Sequence, residues 1–218
     1  MSDDPETARQ IAELARDERP LLVLDVDEVV LEFLRPFTSF LNARSLHLNC
    51  RSFRLHGNVV DPVTGAVVED ERVLLLMEEF FCVQGEWQTG AADAADVLAR
   101  LSGGAEIVML TAMPHRHKQG RRALLDRLGF PYPLVTTEAA KGPAVRRLRG
   151  DKPRPVAFVD DIPSNLMSVR KAVPDAALFH LMAHAGFRAL LPPFVDDGVL
   201  MVDSWSEAES RIATALGI

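Results

Sequence analysis

Short apolar runs alternate with amphipathic stretches along most of the chain. Leu21 to Leu24 in "LLVLDVDEVV" are apolar without a break, the pattern of a strand buried on both faces in a parallel sheet. "AEIVMLT" (105–111), "YPLVTT" (132–137), "PVAFVDD" (155–161) and "AALFHL" (176–181) predict further strands, and "GVLMV" (198–202) an edge strand. Between them the period becomes helical, in "AADAADVLARLS", "HKQGRRALLDRLG", "GPAVRRLRG" and "NLMSVRKAV". Gly129 stops the second of these helices, with Pro131 just beyond, and Ser204 caps a closing helix in "SWSEAESRIATAL". Upstream, "DPETARQIAELARDE" predicts a helix with Pro5 at its first position and Ala8, Ile11, Ala12 and Ala15 on one face. Strand and helix in alternation imply right-handed crossovers and an α/β, Rossmann-like fold, a parallel sheet with helices on both faces.

One interval breaks that rhythm. Asp25 and Thr111 are 86 positions apart, whereas a minimal crossover needs about a dozen residues. Thr111 to Lys141, at 30 positions, is filled by one helix and one strand. An insertion therefore falls over 32–88, leaving 1–31 and 89–218 as the core. Within it Val30, Phe33, Leu34, Phe37, Phe40 and Leu41 have helical spacing, with Pro36 starting or bending that helix. "FRLHGNVV", "DPVTG" and "AVVE" predict a hairpin. "EDERVLLLMEEFF" predicts a returning helix with Leu74, Leu75, Met77 and Phe81 mainly in the core.

Composition narrows the function classes. A chain of 218 residues, 48% hydrophobic and 25% charged, suits one globular domain with an insertion and can bury a full core. A formal charge of −7 argues against a nucleic-acid-binding surface but leaves small anionic substrates open. Cys50 and Cys82 stand far apart without metal-type spacing, so neither a disulfide framework nor a zinc site is expected. "MSDDPETARQ" is unlike a signal peptide, and no apolar run approaches the roughly 18 residues of a membrane span. The expectation is a soluble, cytoplasmic protein without membrane or nucleic-acid partners, its oligomeric state open.

In parallel α/β sheets ligands bind beyond the carboxyl ends of the strands. Asp25 and Asp27 close the first strand, Thr111 closes "EIVML", Asp160 and Asp161 close "PVAFV", and Lys141 starts the helix after the third strand. On extended chain Asp25 and Asp27 point the same way, roughly 6–7 Å apart, and such like charges need something positive between them. Carboxylates, a hydroxyl and a lysine on one rim suit a divalent metal and a phosphoryl group, with magnesium favoured because it takes a few carboxylate oxygens, waters and phosphate.

"DVDEVV", "VMLT", Lys141 and "VAFVDD", in that order and in those strand contexts, are similar to the four-motif signature of the haloacid dehalogenase (HAD) superfamily, mostly phosphohydrolases. The resemblance covers about residues 20–31 and 90–182, and Glu28 departs from it where many relatives have glycine. It implies that 32–88 is a small mixed cap closing over the site and setting specificity. It also implies Asp25 as the nucleophile that becomes an aspartyl-phosphate, and Asp27 as the acid and then base. Magnesium would be held by the Asp25 carboxylate, the Asp27 backbone carbonyl and the Asp160 carboxylate, with Asp161 supporting metal waters or orienting Lys141. Thr111 and Lys141 would bind the phosphoryl oxygens. The substrate class would be a small phosphorylated metabolite, a sugar phosphate or nucleotide.

Other readings of the same residues remain. The Asp25–Asp27 pair is also compatible with a plain turn, Thr111 with a helix cap, and Asp161 with a helix start before Pro163, Ser164 and Asn165. Lys118 or Arg121 can replace Lys141, His115 and His117 suit a polar helix start, and Trp87 and Trp205 read as packing residues. "PPFVDDG" sets Asp196–Asp197 in competition with Asp160–Asp161, but Pro192 and Pro193 cannot donate to a central ladder and Gly198 signals a turn. A dehalogenase needs no acid at Asp27. A phospho-accepting signalling domain has its acidic pair early and its acceptor aspartate later, the reverse of the order here. A catalytically idle HAD-like binding protein stays open.

Overall fold

The computed structural model describes residues 4–15, 17–191 and 198–218. In chain order its elements are α1 (Pro5–Ala12), β1 (Leu21–Leu24), α2 (Leu34–Asn42), β2 (His47–Leu48), β3 (Val59–Val60), α3 (Asp70–Cys82), α4 (Gln84–Trp87) and α5 (Ala94–Leu101). There follow β4 (Glu106–Thr111), α6 (Lys118–Arg127), β5 (Leu134–Thr136), α7 (Lys141–Arg149), β6 (Val156–Asp160), α8 (Pro163–Ala172), β7 (Ala177–Leu181), α9 (Ala185–Arg188), β8 (Val199–Val202) and α10 (Trp205–Leu216).

Six strands pair in parallel in the order β5-β4-β1-β6-β7-β8, so β1 lies inside the sheet, between β4 and β6. Period-two alternation then sends Leu22 and Leu24 to one face, against α5, α6 and α10, and Leu21 and Val23 to the other, against α7 and α8. The register places Leu24 opposite Met109 and Val159, so the next residue, Asp25, is level with Asp160. The α/β Rossmann-like expectation is met, down to β8 at the edge, Gly129 in left-handed conformation after α6, and Ser204 capping α10.

The first helix departs from expectation in its buried face. Pro5 takes the first position and the Asp4 carboxylate caps it, but the helix ends at Ala12, and Thr7 and Gln10 are buried instead of Ala12 and Ala15. Thr7 Oγ1 donates to the Thr136 carbonyl (2.8 Å), and Gln10 accepts from Thr136 N–H (3.0 Å). Fully partnered polar groups can replace an apolar stripe at such a contact.

The chain leaves the core near Leu31 and returns near Gly90, where Glu32 N–H donates to the Thr89 carbonyl and Ala91 N–H to the Val30 carbonyl, both at 2.9 Å. Between these crossings a separate apolar cluster forms around Phe37, Phe40 and Phe80, all fully buried, with Met113, Met182 and Phe187 joining it from the core. Pro36 lies in the first turn of α2, where it starts the helix and does not bend it. "DPVTG" makes the turn, with the Asp61 carboxylate accepting from Val63 and Thr64 N–H and Gly65 at φ +72°. The hairpin closes as expected, with Val60 bridged antiparallel to Val67 and Val68 N–H donating to the Val59 carbonyl (2.9 Å). The other edge of β3 pairs with His47–Leu48, too short to show any alternation in the sequence.

α3 buries Val73, Leu76, Phe80 and Phe81, whereas Leu74 and Leu75 are 55% and 56% exposed, contrary to expectation. A run of five apolar residues wraps past any single helix face, and the packed side follows 73, 76 and 80. The short α9 was not marked by any period. Cys50 and Cys82 are free, and among the described residues no helix is long and apolar enough to cross a membrane.

Candidate active site

Register brings the strand ends together, and burial determines what they must do. Asp25 is 6% exposed, and its backbone N–H donates to the Val159 carbonyl, 2.9 Å away. Lys141 is fully buried at the start of α7, and its ammonium lies 2.7 Å from both Asp25 Oδ1 and Asp160 Oδ2. That reach depends on Gly142. A Cβ there would meet the Ser168 carbonyl oxygen at 2.2 Å, so only glycine lets α7 approach α8 this closely. Thr111 ends β4, buried, in the lining of the cavity above Asp25. Pro114, not Thr111, precedes the short turn His115–His117, so the capping reading of Thr111 fails.

The two members of "DD" have different partners. Asp160 accepts from Lys141, from Ile162 N–H (2.8 Å) and from Asn165 Nδ2 (3.0 Å). Asp161 is 5% exposed, yet no protein donor reaches its carboxylate among the described residues. The alternative in which Asp161 orients Lys141 is therefore corrected. Asp160 orients Lys141, and Asp161 is neither its partner nor the cap of α8, which begins after Ile162 without a side-chain cap. Carboxylate oxygens of Asp25, Asp160 and Asp161 lie within 4.8 Å of one another. Asp196 and Asp197 lie outside the described residues.

Charge at this rim is unbalanced. Burial pushes the Asp25 carboxyl up to about 7, Lys141 works against that, and Asp160 and Asp27 add to it. Asp161 is held well above the usual carboxylate range, first by burial and then by Asp25, Asp160 and Glu28. Burial alone would lower the Lys141 ammonium, but Asp160 and Asp25 outweigh it and keep it charged. Ionised together, the three carboxylates would exceed the one ammonium by two charges, which a divalent cation would match and which burial without one opposes.

The Asp27 side chain stands outside this triad. Its Oδ1 accepts from Arg121 Nη1 (2.9 Å) and Gln88 Nε2 (2.8 Å), and Arg121, fully buried, is also bonded to Gln84 and Gln88. Arg121 thus serves Asp27 and does not replace Lys141. Gln84 and Gln88 had no signal in the sequence, because a glutamine near a chain crossing has no period or motif. Lys118 faces Arg9, Glu6 and Glu13. His115 bonds Asp4 and Thr136, and His117 bonds Glu78 of α3, so neither joins the carboxylates. Trp205 is buried with its indole N–H on the Val29 carbonyl (2.8 Å), and Trp87 packs edge-on against Phe40.

Glu28 explains its own departure from glycine. Its φ of +62° lies where glycine is favoured, so the backbone turn is kept at a local strain. In exchange, its buried carboxylate accepts from Phe33 and Leu34 N–H (2.9 and 2.7 Å) and from His184 N–H (2.8 Å). It caps α2, which has no other side-chain cap, and ties the insertion to the loop after β7. Burial pushes its carboxyl up, and these three N–H groups counter it.

A cavity of about 250 Å³ opens on Asp25, Asp27, Thr111 and Asp161, roofed by the insertion. A larger hollow of about 400 Å³ lies where the strands begin, beside Glu106 and Arg154, and none of these strand-end residues lines it.

No family model matches the sequence, and no curated protein matches it. Solved structures do resemble the fold. A protein of Bacillus subtilis assigned to the HAD-hydrolases, in a magnesium-bound form, superposes with a TM-score of 0.61 at 11% identity, covering 93% of this chain and 100% of that one. A HAD-like hydrolase from Streptococcus pneumoniae gives 0.60 at 10% identity, covering 89% and 98%. A HAD family hydrolase from Deinococcus radiodurans, with bound phosphate and sodium, gives 0.52 at 17% identity, covering 90% and 96%. With a parallel sheet in this order and neighbours that match it over most of their length, the chain shares the fold of these haloacid dehalogenase-like proteins.

Proposed function

We propose that this chain is a phosphomonoester hydrolase that works through an aspartyl-phosphate on Asp25 and requires a divalent cation, magnesium first among candidates. The observation that carries the reading is that Asp25, on the floor of a cavity, is paired at 2.7 Å with the Lys141 ammonium buried beneath it. The fold neighbours that hold magnesium or phosphate support the same chemistry.

An Asp25 carboxylate oxygen attacks phosphorus in line, and the bond from phosphorus to the substrate oxygen breaks. Asp27, held at one oxygen by Arg121 and Gln88, gives a proton to that leaving oxygen from its carboxyl group. In the second half, the Asp27 carboxylate takes a proton from water as the water oxygen attacks phosphorus. Asp25 is regenerated and inorganic phosphate departs. Lys141 and Thr111 bind phosphoryl oxygens, and Asp160 keeps Lys141 in place. The residues fit a dication, because Asp161 is a buried carboxylate without a donor among the described residues, within 4.8 Å of the Asp25 and Asp160 carboxylate oxygens. Asp25 and Asp161 would hold it, with Asp160 beside them, and it would offset charge between the nucleophile and the incoming phosphoryl group. The segment 32–88 acts as the cap, excluding water and shaping the space for the leaving group.

Release of inorganic phosphate from p-nitrophenyl phosphate, with magnesium and with a chelator, tests the proposal. Turnover with magnesium that is lost with chelator is expected. Absence of turnover, together with failure to take up phosphate in a single-turnover quench, would leave a binding protein.

A further inference from the structure

The floor of the cavity is polar, but its walls are not. Phe33, Phe53, Met77 and Phe81 line it from the insertion, and Met182 and Phe187 from the core. The Phe53 and Phe187 rings meet at 5.4 Å across the join between the two parts. The polar residues in the lining are nearly all committed to the floor. Asp160 holds the Asn165 amide, three backbone N–H groups engage Glu28, and Arg121 and Gln88 hold Asp27. Above them, among the described residues, the one polar side chain in the lining is the exposed Arg54.

We propose that the substrate is the phosphate monoester of a compact aromatic or aliphatic alcohol, and not a sugar phosphate or nucleotide. The inference rests on the phosphohydrolase reading and deepens it. An occupant of this cavity must be joined to the phosphoryl group, because the same space opens on Asp25. A sugar entering it would lose water from several hydroxyls and find only Arg54, at the exposed mouth, as a side-chain partner among the described residues, which is unfavourable for every group left unpaired. An apolar body loses nothing and gains ring and thioether contacts. Size points the same way. At about 250 Å³ the cavity is smaller than the roughly 300–1,000 Å³ that drug-sized ligands occupy, so one or two rings fill it. The thioethers of Met77 and Met182 adapt to shape better than branched side chains do.

The test compares alkyl esters whose leaving groups are similarly poor, so that reactivity does not mimic recognition. Initial rates of the magnesium-loaded full chain are measured on 2-phenylethyl phosphate, ribose 5-phosphate and adenosine 5′-monophosphate. The phenylethyl ester should lead in kcat/KM by about thirtyfold or more, mostly through KM. Phe53→Ala and Met77→Ala should each shrink that ratio by roughly tenfold, and a Phe53→Leu variant should restore part of it. Preference for ribose 5-phosphate or the nucleotide, or a ratio untouched by both alanine variants, overturns the apolar assignment and leaves the phosphohydrolase reading standing. No turnover of any of these esters, nor of p-nitrophenyl phosphate, removes both.

Discussion

At the floor of the cavity Asp25 is joined to Lys141, and Lys141 to Asp160 beneath it, by contacts of 2.7 Å, and each partner is a specific atom. Above it, the insertion is held by rings, with Phe80 edge-on to Phe33, Phe37 and Phe40 at centroid distances of 5.3–5.5 Å. Ionic contacts in a buried site are directional, and an unpaired member is costly. Ring contacts are broad, and their strength follows the area removed from water. A change in the floor should therefore act first on the chemical step, and on stability where it leaves a buried charge unpaired, whereas a change in the walls should act on stability or substrate choice.

The sharpest way to break that contrast is Asp25→Asn. Turnover on p-nitrophenyl phosphate should fall to background with an unchanged circular dichroism spectrum, since an amide cannot form the acyl-phosphate. Retained activity would sink the covalent mechanism. Next comes Asp27→Asn, for which kcat should drop by about 10²–10⁴-fold, the usual size of general acid–base catalysis. A smaller loss on p-nitrophenyl phosphate, whose leaving group needs little protonation, than on an alkyl phosphate would locate the loss in the first half-reaction. In the walls, Phe80→Ala should cost about 3–5 kcal/mol in denaturant unfolding, because a fully buried ring leaves a cavity among other rings.

The pH profile separates the two regions without mutation. Asp25 and Asp161 have folded values above the ordinary 3.8, Asp25 near 7, so above 3.8 the folded chain holds protons that the unfolded chain has released. Their stabilising effect is complete below 3.8 and is lost as pH rises through the folded values. With chelator present, the melting temperature should fall between about pH 5 and about pH 8, and saturating magnesium should flatten the slope. A flat profile under chelator would mean the floor is more open to water than its geometry implies. The smallest effect belongs to Leu75→Ser. Despite its place in the apolar run of α3, this exposed leucine should change stability by no more than about 0.5 kcal/mol, against the several expected for Phe80.

Much of the core was legible in the sequence. An uninterrupted apolar run cannot sit on a half-wet strand, so Leu21–Leu24 announced a parallel sheet, and polar residues ending such runs had to meet at one rim. Asp25, Thr111, Asp160 and Asp161 were therefore locatable from the sequence, whereas Lys141, which starts a helix, was one of three basic candidates with Lys118 and Arg121. The partition of roles among these residues was not legible. That Asp160 holds Lys141 while Asp161 has no donor among the described residues depends on which way adjacent side chains leave one strand end, a matter of ångströms that sequence spacing does not contain.

The same boundary runs through the insertion. Its length and its helical spacing followed from residue counts, because 86 positions exceed any simple crossover. Which face of α3 is buried, where β3 finds its partner, and how Gln84, Gln88 and Arg121 converge on Asp27 were decided by contacts between segments far apart in the chain. Periodicity reports the environment averaged along one element, and it determined the layers of this protein. Partnership between elements depends on distance in space, and only the tertiary structure decided the charge balance of the floor and the apolar character of the walls.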